Sequence, residues 1–166
     1  MLGLIAIAAA LASAACGGSD ETASTSPFPT VVESTPRGCA YLSGAVVEDV
    51  SDATVQRQDL APGPEVVCST AFVGASGDFV AGVSELRGGL ETLQGLRKAK
   101  IEEFGIGALE PQPVLGTGAF VVRKRYLAFR HSERVIVLET GYGSEGELLL
   151  TVSELRRLAR LVSGRL

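Results

Sequence analysis

One histidine, three cysteines and a scatter of carboxylates are the side chains of this chain that could do chemistry. His131 stands beside Ser132 and Glu133, the residue types a general base would want as nucleophile and orienting group. The three occupy a short polar stretch between two β-rich segments, where turn residues are expected on conformational grounds alone. As a metal ligand, the lone histidine would need its other ligands from carboxylates or thiols. Gly116-Thr117-Gly118 begins like a dinucleotide fingerprint, but Val121 stands at the third glycine position and a strand follows instead of a helix, so the glycines read as a turn or a close backbone approach. Neither Cys-x-x-Cys nor Gly-x-Ser-x-Gly occurs. An enzyme would have to build an unfamiliar carboxylate site, drawn from Glu110, Glu133, Glu139 and Glu145, with two carboxyls converging in a cleft.

The one basic cluster is Arg123-Lys124-Arg125. On a strand, alternation sends Arg123 and Arg125 to one face and Lys124 to the other. That pair is a possible anion-binding site for lipid headgroups or wall polymers; the competing reading is a solvated strand face or a protected edge. A formal net charge of −4 argues against nucleic acid, whose binding leaves a concentrated basic footprint. No cofactor or metal is expected.

Residues 1–15 carry no charge and almost no polarity, and they end in small residues, as an export signal does. The run is shorter than the roughly 20 residues of a membrane-spanning helix. Ser13-Ala14-Ala15-Cys16 resembles a bacterial lipobox, with Ser13 where Leu is usual and no basic residue ahead of the apolar run. The resemblance implies diacylation of Cys16, which becomes the new N-terminus. Residues 16–38, rich in Gly, Ser, Thr and Pro, then form a flexible tether. Lipidation would also leave Cys39 and Cys68 to pair as a disulfide, resolving the odd cysteine count of an exported protein. Two alternatives stand beside this reading. One is ordinary cleavage after Ala12-Ser13-Ala14, which would leave Cys16 a free thiol in a secreted protein; the other, independent of it, is that Cys39 and Cys68 are two buried free thiols.

Residues 39–166 make one domain of ordinary size. Leu42, Val46, Val47 and Val50 recur at helical spacing, predicting a short helix from Ser43 to Asp49. The polar stretch at 56–65 reads as a loop. Residues 66–73 and 78–83 read as a β-hairpin around Gly74-Ala75-Ser76-Gly77. From Ser84 to Gly105 an amphipathic pattern puts Leu86, Leu90, Leu93, Leu96, Ile101 and Phe104 on one face, with Leu90 as the firmer start after Gly88-Gly89. A Gly/Pro-rich connection leads to β segments at 120–130 and 134–142, and the apolar run Val135–Leu138 suits a strand buried on both faces. Thr151-Val152-Ser153-Glu154 is a capping box opening a final helix that groups Leu155, Leu158 and Val162.

The expected fold is therefore α+β, an antiparallel sheet of at least four strands with two to three helices packed on it. Cys39 near a short helix, Cys68 in a strand, the Leu-Gly-Thr-Gly-Ala lead-in at 115–119 and the Leu/Arg-rich last helix together resemble small actinobacterial lipoproteins of a domain-of-unknown-function family. The resemblance implies a cell-envelope role, on the outer face of the cytoplasmic membrane if lipidated and secreted otherwise. The expected function is non-catalytic binding of an envelope partner or small ligand, with the membrane engaged through the lipid anchor. The alternatives are the carboxylate enzyme or a structural or inhibitory surface protein, which would present a flat apolar patch.

Overall fold

The computed structural model describes residues 37–165; Cys16, the export signal and nearly all of the expected tether lie outside the described residues. The chain forms an α+β fold. Helix α1 (Gly44–Ser51), strands β1 (Val55–Asp59), β2 (Val66–Gly74) and β3 (Phe79–Arg87), helix α2 (Leu90–Phe104), strands β4 (Leu109–Pro111), β5 (Phe120–Val122), β6 (Tyr126–His131) and β7 (Arg134–Thr140), and helix α3 (Val152–Ser163) follow in that order. All seven strands join one antiparallel sheet in the order β1-β2-β3-β7-β6-β5-β4.

Strand β7 lies between β3 and β6, and its apolar run feeds two cores. Ile136 and Leu138 join Phe72, Leu127, Phe129, Leu155, Leu158 and Val162 on the face covered by α1 and α3. Val135 and Val137 join Leu93, Phe120 and Ala128 on the face covered by α2. Alternate side chains of a strand point to opposite faces, so a continuously apolar β7 satisfies both layers at once. The capping box of α3 forms, with Glu154 N–H donating to Thr151 Oγ1 at 3.3 Å and Thr151 N–H donating to Glu154 Oε2 at 2.6 Å. Thr140, wholly buried at the end of β7, accepts from Leu150 N–H at 2.8 Å and donates to the Val80 carbonyl at 3.2 Å, which ties the lead-in to α3 to the centre of the sheet.

Cys39 and Cys68 form a disulfide across 29 residues of chain. Closing such a loop stabilises the fold by about 3 to 4 kcal/mol in the chain-entropy account.

Several boundaries differ from those read in the sequence. Residues 55–59, read mostly as loop, are edge strand β1, because backbone pairing with β2 asks nothing of side-chain periodicity on an exposed edge. The strand then explains how the Cys39 segment is held. Arg57 donates to the Leu42 and Cys39 carbonyls, each at 3.1 Å, and to Asp59 Oδ1 at 2.8 Å. Thr70 donates to Asp59 at 3.0 Å and accepts from Cys39 N–H at 2.9 Å. The folded part also begins earlier than Cys39, since Arg37 already bonds through its backbone to Leu60 and Ser69. Residues 84–87 extend β3 instead of opening α2: Ser84, Glu85 and Leu86 pair with Val137, Ile136 and Val135, and the break falls at Gly88-Gly89. Leu86 therefore belongs to the sheet. The Gly/Pro-rich connection contains β4.

The segment 120–130 is two strands, β5 and β6, turned at Arg123-Lys124. Both residues adopt the left-handed conformation, with φ of 47° and 60°, and Arg125 N–H closes the turn on the Val122 carbonyl at 3.0 Å. Arg123 and Arg125 are thus not neighbours on one strand face, because the alternation argument ends where the strand does.

The Asp59 network gives a pH prediction. The hydrogen bond from Arg57, with a further one from Thr70, holds the Asp59 carboxyl below its ordinary value of 3.8. A carboxyl depressed on folding stabilises the native state above its unfolded pKa, and the benefit is lost as pH falls through the folded pKa. Asp59→Asn should lower the urea midpoint at neutral pH and leave it unchanged below the aspartate range; an equal loss at both pH values would refute the assignment.

Candidate functional site

The arginines that leave the strand face meet again in a cleft. Helix α2 covers only the β5, β6 and β7 side of its face of the sheet, and its last turns stand over the ends of those strands. Lys100, Glu103 and Phe104 follow at i, i+3 and i+4, one helical face. With Arg123, Arg125, Tyr126, Glu139 and Tyr142 they line a cleft of about 340 Å³.

Its walls alternate cations and rings. Lys100 Nζ lies 5.4 Å from the centre of the Phe104 ring and 5.0 Å from that of Tyr126, and 2.8 Å from Glu103 Oε2. The Arg123 guanidinium lies 4.9 Å from the Phe104 ring, and that of Arg125 lies 5.1 Å from the Tyr142 ring. Contacts of this kind contribute about 0.5 to 1 kcal/mol at exposed sites, enough to orient a long side chain. Arg125 is held further by donating from Nε to the Thr140 carbonyl at 3.0 Å. Among the described residues no carboxylate pairs with Arg123 or Arg125. Two guanidinium groups therefore present free N–H donors to one cleft, the arrangement that receives an oxyanion.

Tyr126 is raised well above the usual tyrosine range, first by burial and then by the negative charges of Glu139 and Glu103. It stays a neutral phenol at physiological pH, able to donate or accept one hydrogen bond. Gly141, next to Tyr142, passes so close to Phe79 that a Cβ there would overlap the Phe79 carbonyl. Only glycine lets the chain leave β7 on this path and bring Tyr142 to the Arg125 side of the cleft.

The other expected residues are dispersed. Glu133 and Glu139 stand at opposite ends of β7, roughly 20 Å apart at strand rise. Glu110 lines a separate hollow at the start of α3, and Glu145 is exposed in the loop after Tyr142. Of the four, only Glu139 reaches the cleft. His131, Ser132 and Glu133 form the β6–β7 turn, about 16 Å along β6 from Tyr126. Among the described residues no three His, Cys, Asp or Glu side chains gather as a metal site. Gly116 and Gly118 have φ of 101° and 83°, and a Cβ on Gly118 would press on Leu93 at 3.3 Å, so these glycines serve both a turn and a close approach. The exposed apolar side chains Leu60, Ile106 and Val114 sit toward both edges of the sheet.

The sequence reading missed Lys100, Glu103, Tyr126 and Tyr142; Phe104, which it put on the apolar face of the helix, does pack against the core and lines the cleft as well. The i, i+3, i+4 spacing of the first two with Phe104 was a usable signal; nothing local joins them to a turn some twenty residues later. The fold and cleft define an antiparallel-sheet α+β domain with a cleft lined by cations and rings. No family model, curated protein or solved structure matches the chain.

The turn that presents Arg123 is strained, since non-glycine residues adopt the left-handed region at a cost of about 1 kcal/mol or more. Replacing Arg123→Asn together with Lys124→Gly supplies the residue pair such turns favour. The double variant should gain about 1 kcal/mol in urea unfolding after loss of the exposed contact with Phe104. A net loss of stability would show that the turn is not strained.

Proposed function

We propose that this protein is an exported cell-envelope lipoprotein, anchored through diacylated Cys16, whose domain binds without catalysis a small ligand or envelope partner carrying an oxyanion. The reading rests on one observation: Arg123 and Arg125 converge on the same cleft, steadied by Phe104 and Tyr142 and paired with no carboxylate among the described residues. The rings offer the apolar body of a ligand a surface to lie against. Membership of the small actinobacterial lipoproteins belongs to the same proposal, as does a position on the outer face of the cytoplasmic membrane. Of Glu110, Glu133, Glu139 and Glu145 only Glu139 lines the cleft, and the carboxylate it meets there, Glu103, is paired with Lys100, which favours binding over hydrolysis.

Two measurements test the two halves. Calorimetric titration with phenyl phosphate should show binding that weakens about tenfold or more in Arg123→Gln and in Arg125→Gln, since a hydrogen bond to a charged group is worth about 1.5 to 3 kcal/mol; affinity unchanged in both variants would refute the site. Intact mass of the membrane-extracted protein should match a chain starting at Cys16 plus acyl groups, with two thiols appearing only on reduction. An unlipidated chain beginning near Ala15 would overturn the anchor.

A further inference from the structure

The cleft carries a charge that an oxyanion site does not call for. Glu139 faces it from β7, half-buried and directly opposite Tyr126 in the strand register. Among the described residues Glu139 has no cationic partner and no side-chain hydrogen bond, whereas the other cleft carboxylate, Glu103, is taken by Lys100 at 2.8 Å. Burying a carboxylate in part without a partner is unfavourable, and a bound anion would meet its repulsion. A bound cation would meet Arg123 and Arg125 instead. A molecule carrying both charges satisfies every group.

Resting on the oxyanion reading above, we propose that the ligand is a zwitterion, its phosphate held by Arg123 and Arg125 and its primary ammonium held by Glu139. The two charge sites are adjacent, because Thr140, whose carbonyl holds Arg125 Nε at 3.0 Å, is the residue after Glu139. A short spacer of two carbons, as in ethanolamine phosphate, is the natural match. Phosphate suits the site better than carboxylate: its non-bridging oxygens diverge tetrahedrally from phosphorus and can meet two guanidinium groups approaching from different sides, whereas the two oxygens of a carboxylate lie in one plane. The Tyr126 ring already bears the Lys100 ammonium at 5.0 Å, so Glu139 is the group left to hold the ammonium of a ligand. The neutral phenol of Tyr126 can accept a hydrogen bond from the incoming ammonium or donate one to the phosphate. This chemistry is offered either by a free phosphoethanolamine compound or by an ethanolamine phospholipid headgroup.

The test compares O-phosphoethanolamine with ethyl phosphate, which keeps the phosphate and lacks the ammonium, on the full chain by calorimetry. The expected result is a preference of about tenfold for the zwitterion, the size of one charge-assisted hydrogen bond. In Glu139→Gln, checked for native folding by near-ultraviolet circular dichroism, that preference should vanish while ethyl phosphate binds as well as before or better. Equal affinity for the two compounds in the unmodified protein overturns the zwitterion assignment without any variant being made. If ethyl phosphate then still binds in an Arg125-dependent way, the oxyanion reading survives alone; if neither compound binds, both fall. Sedimentation of the Cys16→Ser chain, which lacks the acyl anchor, with vesicles containing phosphatidylethanolamine, against vesicles of phosphatidylglycerol, separates the sources. Capture by the first set that depends on Glu139 supports the headgroup, and capture by neither, with the free compound bound, supports the soluble ligand.

Discussion

The structure depends on a strand that has no polar face. Between Val135 and Leu138 every side chain of β7 is buried, so β7 must lie inside the sheet with a layer on each side. Helices α1 and α3 form one layer and α2 the other, and neither core exists without the opposite faces of this strand. Its two ends then acquire different characters. At one end a tight turn of His131, Ser132 and Glu133 reverses the chain; at the other, Glu139, Thr140 and Gly141 leave the core and Glu139 supplies part of the wall of the cleft.

The cleft exists because α2 covers its face incompletely. Leu93 at its second turn is fully buried in the core, while Lys100, Glu103 and Phe104 near its end stand at the margin of the sheet. A long polar side chain at such a margin can lay its stem on apolar surface and keep its charge wet. Lys100 does so between two rings, and Arg123 and Arg125 do so over Phe104 and Tyr142. The strain of a left-handed Arg123-Lys124 pair fits this picture, since stored strain is tolerated where it aims a functional group. The β1 and β2 side of the sheet is held by different means, the Cys39–Cys68 disulfide and the Arg57, Asp59 and Thr70 network, which fix the Cys39 segment in the core on the α1 side.

An export signal ending in a lipid-bearing cysteine would set this domain on a tether beside a membrane, where a site for phosphate and ammonium has an abundant surface to sample. Among the described residues no helix is long and apolar enough to cross a membrane. On the proposed function, membrane association would come from the anchor and recognition from the cleft.

Local chemistry was legible in the sequence. The capping box at Thr151, the buried run in β7, the hairpin around Gly74–Gly77 and the glycine turn at 116–118 each follow from side-chain periodicity or backbone sterics within a few residues, and the structure keeps them all. The pairing of Cys39 with Cys68 was legible too, from the cysteine count once export and lipidation of Cys16 are expected. What tertiary structure alone decided was non-local. Strand β1 has no hydrophobic alternation and exists because the backbone of β2 offers it partners. The turn at Arg123-Lys124 has neither glycine nor asparagine, so its left-handed residues are imposed by the pairing of β5 with β6 and by the rings that hold the guanidinium groups. The cleft joins Lys100, Arg125 and Glu139, residues brought together only when α2 packs across the sheet. Sequence periodicity reports which faces are apolar; it does not report where a helix ends over the sheet beneath it, and the free volume and unpaired charges of this site are set there.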